Sequence, residues 1–285
     1  MTAPVTAPED GGIRGASRPI WWLVFVQELK ELWVGGRALN LLILFTALMS
    51  ATSFLLATNS ELSLTPPRLM MVVTLQSTMS FGLFLGLIVG AESVSGERER
   101  ATLEALLLTP AGRRAVVLGK YLAALSPWPV AMALAVPYVV LLAQGDVALG
   151  IALVWGAALG TILTIFFTGI GVLASMWSGS TRTSLFVGLL VYLLALLPAQ
   201  LPGEFQATTA GAVLQALDPL ESARQFLNQY LVDGVALDDA RLLLVAPILA
   251  LVAVLIAILG FAAPRLGLDG ATISLPRLPT FGRGA

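Results

Sequence analysis

The chain has 285 residues, 57% hydrophobic and 12% charged, with a mean hydropathy of +0.89, whereas a soluble domain carries about 25% charge; the composition is that of a membrane protein. The 16 basic and 17 acidic residues give a net charge of -1 and exclude the broad basic field of a nucleic-acid partner. There is no histidine and no cysteine, so imidazole bases, thiolate nucleophiles, disulfides and soft metal ligands are excluded together.

Residues 1–18 are rich in Ala, Pro, Thr and Gly and lack the basic start and apolar core of a secretory signal, so a disordered cytoplasmic tail is expected. Residues 19–36 follow as an interfacial amphipathic helix. Trp22, Phe25, Val26 and Leu29 stand at i, i+3, i+4 and i+7, and Glu28 and Glu31 lie largely on the other side. Gly35-Gly36 then frees the chain to turn into the first span.

Apolar runs at 38–56, 69–91, 116–143, 149–177, 183–201 and 242–262 are each long enough for a ~30 Å hydrocarbon core and too long for barrel strands. The predicted fold is an all-α polytopic membrane protein with six transmembrane helices in residues 37–263. With a cytoplasmic N-terminus, only Arg68, Arg224 and Arg241 of the basic residues fall outside, so the Lys/Arg bias puts both termini in the cytoplasm. Residues 264–285 form a cytoplasmic C-terminal tail.

Between the second and third spans the chain carries Glu92, Glu97, Glu99 and Glu104 interleaved with Arg98 and Arg100, more charge than a short return requires. Arg100 and Glu104 form an i,i+4 pair, and Leu103, Leu106 and Leu107 keep helical spacing up to the stop at Thr109-Pro110. A charged turn that only solvates the gap has a similar composition. The alternation followed by Leu103-Glu104-Ala105-Leu106-Leu107 favours a compact helical knob over about 96–110, suited to a groove on another protein. Glu92 is expected to anchor it against Arg98 or Arg100.

The external segment, about 202–241, alternates acidic and apolar residues and reads as short amphipathic or re-entrant helices, with Asp218-Pro219 breaking one and Pro219 opening the next.

Residues 97–110 resemble the "ER..GTLE.LL..P" signature of ABC-2-type transporter permeases, with Ala101 where that family usually has glycine. The likeness extends over nearly the whole chain, and in size the chain is similar to the compact members that serve nitrous oxide reductase maturation or export sodium or drugs. The resemblance implies a permease subunit of an ATP-driven ABC exporter, paired with a second permease and surrounded by membrane lipid. Cytoplasmic ABC ATPase subunits would bind the ATP and Mg. It also implies that Gly96, Glu97, Arg98, Glu99, Arg100, Thr102, Leu103, Glu104, Leu107 and Pro110 form the ATPase-docking coupling helix.

The chain has no G-x-x-x-x-G-K-[ST] phosphate loop and no aspartate pair in the spans, and Ser126 stands six residues from Lys120, so it is not expected to be an enzyme or to hold a cofactor or metal. Gly160 and Gly169-Ile170-Gly171 are read as close helix packing. Gln76 carries an amide that lipid cannot satisfy, so it faces the transport path or bonds a neighbouring helix. Pro127, Pro129 and Pro137 interrupt the third span, as a gate or as a packing device. Two other classes fit less of the chain: a secondary transporter that works without an ATPase would show an internal repeat and a midplane ionisable residue, and a membrane assembly or scaffold factor would share the knob alone.

Overall fold

The computed structural model describes residues 19–58, 66–103, 112–206 and 208–262. The described residues contain helices and the turns between them, with no strand, and six helices among them are long and apolar enough to cross a membrane: Arg37–Thr58, Pro67–Glu99, Arg113–Ala143, Leu149–Trp177, Thr181–Gln200 and Leu237–Gly260. Each lies within a few residues of an apolar run in the sequence, because an uninterrupted run of that length has no other way to satisfy its backbone in lipid.

Helix α1 (Ile20–Val34) starts behind Pro19, whose backbone is extended, and ends at Gly35. Gly36 has φ +76°, a left-handed conformation that glycine adopts without strain, and this turns the chain directly into α2 (Arg37–Thr58). α3 (Pro67–Glu92) is the most buried span: Met71, Val72, Leu75, Met79, Leu83 and Leu87 are within 1% of full burial.

α3 runs along α7 (Leu149–Trp177), and small residues set the distance between them. A Cβ on Gly90 would stand 2.4 Å from the Thr168 carbonyl oxygen, and one on Gly171 2.5 Å from that of Leu87. Here glycine is required for backbones to meet, as the sequence reading of Gly169-Ile170-Gly171 expected.

The third span is two helices, α5 (Arg113–Leu125) and α6 (Pro127–Ala143), joined at Ser126. Pro127 occupies the first position of α6, where its missing N–H is not needed, and its exposed neighbour Pro129 sits in the same first turn. Pro137 lies exposed within α6, which continues through it. The Trp128 ring fills the space left by two glycines: a Cβ on Gly82 would come within 2.3 Å of it and one on Gly160 within 2.4 Å. Its Nε1 donates to Thr161 Oγ1 at 3.0 Å.

The fifth span, α8 (Thr181–Gln200), is capped by Ser180 Oγ, which accepts from the Thr183 N–H. It leads to the short helices α9 (Gly203–Gln206), α10 (Thr209–Leu217) and α11 (Pro219–Leu227), the last continuing as a wider π turn over Asn228–Val232. Asp218 Oδ1 accepts from the N–H groups of Leu220 at 2.8 Å and Glu221 at 3.2 Å, with Pro219 as the first helical residue. Phe226, Leu227 and Leu231 then enter the main core beside α3 and α7. The last span comprises α12 (Leu237–Ala240), a 3₁₀ turn and α13 (Val245–Ile256), with π geometry over Ala257–Ala262. Large apolar side chains left outside, such as Phe54, Leu141, Val154, Phe186 and Leu249, are the surface a bilayer solvates.

Candidate functional site

The knob begins where α3 ends. Only Ser93 and Val94 separate α3 from α4 (Ser95–Glu99), and three sets of polar contacts fix it to the rest of the molecule.

The first is at the hinge itself. Ser175 Oγ, on α7, accepts from the Val94 N–H at 3.0 Å and the Ser95 N–H at 2.8 Å, two donors that a helix start leaves unpaired. Ser95 and Ser184 both donate to the Ala91 carbonyl, at 2.7 and 2.8 Å.

The second is at the ends of α7 and α8. Arg98 donates to the Ser178 carbonyl and to those of Met176 at 3.3 Å and Ser175 at 3.5 Å, the orphan acceptors at a helix C-terminus, where a cation is also favoured by the helix dipole. Glu99 Oε1 accepts from the Thr181 N–H at 2.9 Å, the opposite charge at the opposite kind of terminus.

The third is a buried charge cluster. Lys120 on α5 is 1% exposed and its Nζ donates to Glu97 Oε1 at 2.5 Å and to Glu28 Oε1 at 2.6 Å, so one ammonium joins α4, α5 and α1. Two carboxyl groups share one lysine, and among the described residues Glu97 Oε2 is buried without a hydrogen-bond partner. Burial pushes the Glu28 carboxyl above its ordinary 4.5, against the downward pull of Lys120. α1 can come this close because Gly119 precedes the lysine: a Cβ there would stand 2.8 Å from the Val24 side chain and 2.9 Å from the Trp21 carbonyl. Thus Trp21, Val24 and Glu28 face the protein, while Trp22 and Leu23 are exposed.

Beneath the knob, Val94 and Leu103 are buried with Val117, Tyr121, Val172 and Met176. Ala101, the family's glycine position, has φ +56°. That left-handed conformation accounts for the glycine in the signature and is strained for alanine.

The structure therefore divides the expected docking residues. Gly96 and Leu103 are buried, Glu97 and Arg98 are turned inward onto Lys120 and the end of α7, and Glu99, Arg100 and Thr102 are exposed. Glu104, Leu107 and Pro110 lie outside the described residues. The cation beside Glu92 is Arg37 of α2, at 3.4 Å, rather than the expected Arg98 or Arg100, because Arg98 is engaged at the carbonyls of α7. The sequence reading assigned no role to Lys120; the signal was a single ammonium within an apolar run, which lipid requires to be paired.

In the other half of α3, Gln76 Nε2 donates to Asn228 Oδ1 at 3.0 Å and to the Arg224 carbonyl at 3.3 Å, tying the span to α11 and the turn that follows it. Gln76 lines an open polar cleft with Ser77, Ser80, Arg224 and Asn228.

Six apolar helices with a polar, multiply tethered knob on one side define a multi-pass membrane protein of the transporter kind. The model of the ABC-2 family transporter proteins matches residues 22–266. The chain belongs to that family: it is a transmembrane permease of an ABC transporter, a transport component and not a catalyst. No curated protein matches it.

Proposed function

We propose that this permease is the membrane half of an ATP-driven exporter in the cell membrane, with both termini cytoplasmic. Separate ABC ATPase subunits, which the family implies as partners, hold ATP and Mg, and ATP drives their closure. Their closure pushes the knob, and spans two and three tilt to change which side of a seam between two permeases is open.

The observation that carries this reading is the fastening of α4. Ser175, Arg98, Glu99 and the Lys120 cluster join it to α7, α8, α5 and α1, and it is nearly continuous with α3. A displacement of α4 therefore cannot stay local. In this reading Glu99, Arg100 and Thr102, with Glu104, Leu107 and Pro110, meet the ATPase, while Gly96, Glu97, Arg98 and Leu103 seat the knob. Gln76 borders the path, and the Pro127, Pro129 and Pro137 helix supplies the bend.

The test is co-expression with the candidate ATPase, affinity purification of the permease, and measurement of bound ATPase and of hydrolysis in nanodiscs. The pair Arg100→Glu with Thr102→Asp, both exposed, is expected to lose the ATPase while membrane insertion is unchanged. Stoichiometric binding retained by that variant would overturn the docking assignment.

A further inference from the structure

Arg224 is a cation in an unusual place. It projects from α11 to Ser80, whose Oγ accepts from its Nη2 at 2.8 Å. Ser80 is the fourteenth residue of α3, so it lies about 20 Å along that helix from its Pro67 end, well within the thickness of a bilayer core. A guanidinium at that depth demands compensation.

The described residues supply little. Arginine has five N–H donors; the bond to Ser80 is the one hydrogen bond the Arg224 side chain makes among them, and its Nε is buried with no acceptor. No carboxylate among the described residues lies within 4.0 Å of it to form an ion pair. Glu221, one turn earlier, lines the same cleft, and Asp218 is near enough to interact with the guanidinium, but neither carboxylate reaches hydrogen-bond distance of it.

The position is held rigidly. Phe226 and Leu227 are fully buried, and Phe226 packs on Trp155 with ring centroids 4.8 Å apart. Asn228 and the Arg224 carbonyl are held by Gln76. What remains is a cleft of about 440 Å³, open to the surroundings, in which the apolar Val73 and Phe81 lie on the same face of α3 as Gln76, Ser77 and Ser80, with Ala199 and Arg224 completing the lining beside Glu221 and Asn228.

We propose that this cleft binds the anionic group of an amphiphile, a phosphate, sulfonate or carboxylate attached to an apolar body, with Arg224 as the residue that recognises the charge. The anion supplies the acceptors that the guanidinium lacks, and the apolar wall of the cleft takes the adjoining carbon chain. This deepens the transport reading by giving its cargo a chemical class, yet the binding does not depend on any ATPase.

The experiment uses the full chain purified in a neutral maltoside detergent and radiolabelled dodecyl phosphate as the probe. Saturable binding is expected, weakened about tenfold or more in Arg224→Gln and largely kept in Arg224→Lys, since loss of a charge-assisted contact is worth at least that factor. Arg241→Gln, which removes an exposed guanidinium outside the cleft, is expected to bind within about threefold of the parent protein. Unchanged binding by Arg224→Gln overturns the proposal, as does an equal loss in Arg241→Gln, which would make the binding a matter of general surface charge. Competition separates the sources of the anion: displacement by dodecyl phosphate but not by inorganic phosphate at the same concentration supports the amphiphile, and equal displacement by the two overturns it in favour of a free anion. Because no nucleotide is present, a negative result here leaves the ATPase-coupling reading standing.

Discussion

Glu28 and Glu97, 69 positions apart in the chain, meet on the same ammonium, that of Lys120. The arrangement is an odd-numbered charge cluster, and its stability depends on all three members.

Lys120→Met is expected to destabilise the protein by about 3 kcal/mol, because two largely buried carboxylates are left facing each other. Thermal unfolding in detergent should report a clear drop in midpoint. Adding Glu28→Gln and Glu97→Gln to the same chain removes the orphaned charges and should recover most of it; a triple variant no more stable than Lys120→Met would refute this account.

Charge reversal at Glu97 is for the same reason a poor probe of docking. Glu97→Lys sets two ammonium groups together in a buried position, so it should lower the unfolding midpoint whether or not an ATPase is present. Arg100→Glu, at an exposed position, should leave the stability within about 0.5 kcal/mol of the parent.

Ala101→Gly should stabilise the knob by up to about 1 kcal/mol, since alanine at φ +56° carries a steric cost of roughly 1–2 kcal/mol that exceeds the entropic penalty of glycine. Ala101→Val should move the other way by a larger amount. Protease sensitivity of the knob, measured as a cleavage rate, gives the readout.

Gly171→Ala should cost about 1–3 kcal/mol, because its Cβ would stand 2.5 Å from the Leu87 carbonyl and 2.8 Å from the Ala91 nitrogen, and two backbones cannot yield as a flexible side chain can. Gly112→Ala, with nothing within 4 Å among the described residues, is the control and should be close to neutral. Equal expression and equal melting of both variants would contradict the helix-contact account of Gly171.

The loop between α6 and α7 carries a pH dependence. The side-chain hydrogen bonds from Arg68, at 3.1 and 3.2 Å, and the N–H of Ala148 hold the Asp146 carboxyl below its ordinary 3.8. A lowered folded value means the contribution is present above the unfolded value and is lost as pH falls through the folded one. Asp146→Asn should therefore flatten the fall in unfolding midpoint below about pH 4 while leaving the neutral-pH profile parallel to that of the parent.

The spans were legible in the sequence because hydropathy is local: residues 149–177 form one run and one helix, α7. The Asp218-Pro219 boundary was legible for the same reason, since a cap and its helix are adjacent. Pairings across the fold were not. Glu92 was expected beside a neighbouring arginine and meets Arg37, 55 positions away, and Arg98 seeks main-chain carbonyls that no side-chain pattern announces. The knob was visible as a charged helical segment, but which charges face inward depends on where α7 ends. Ala101 lies between these cases: the family's glycine marked the site, and only the backbone angle gave the reason.

Ser175 has a consequence for how the knob can move. One hydroxyl, on a different span, receives both main-chain N–H groups at the turn between α3 and α4. It acts as a fulcrum at the elbow: a swing of α4 about that point must either carry the end of the fourth span along or break two bonds at once. In the proposed mechanism this limits the stroke length at the elbow, and the membrane helices receive a short, stiff throw.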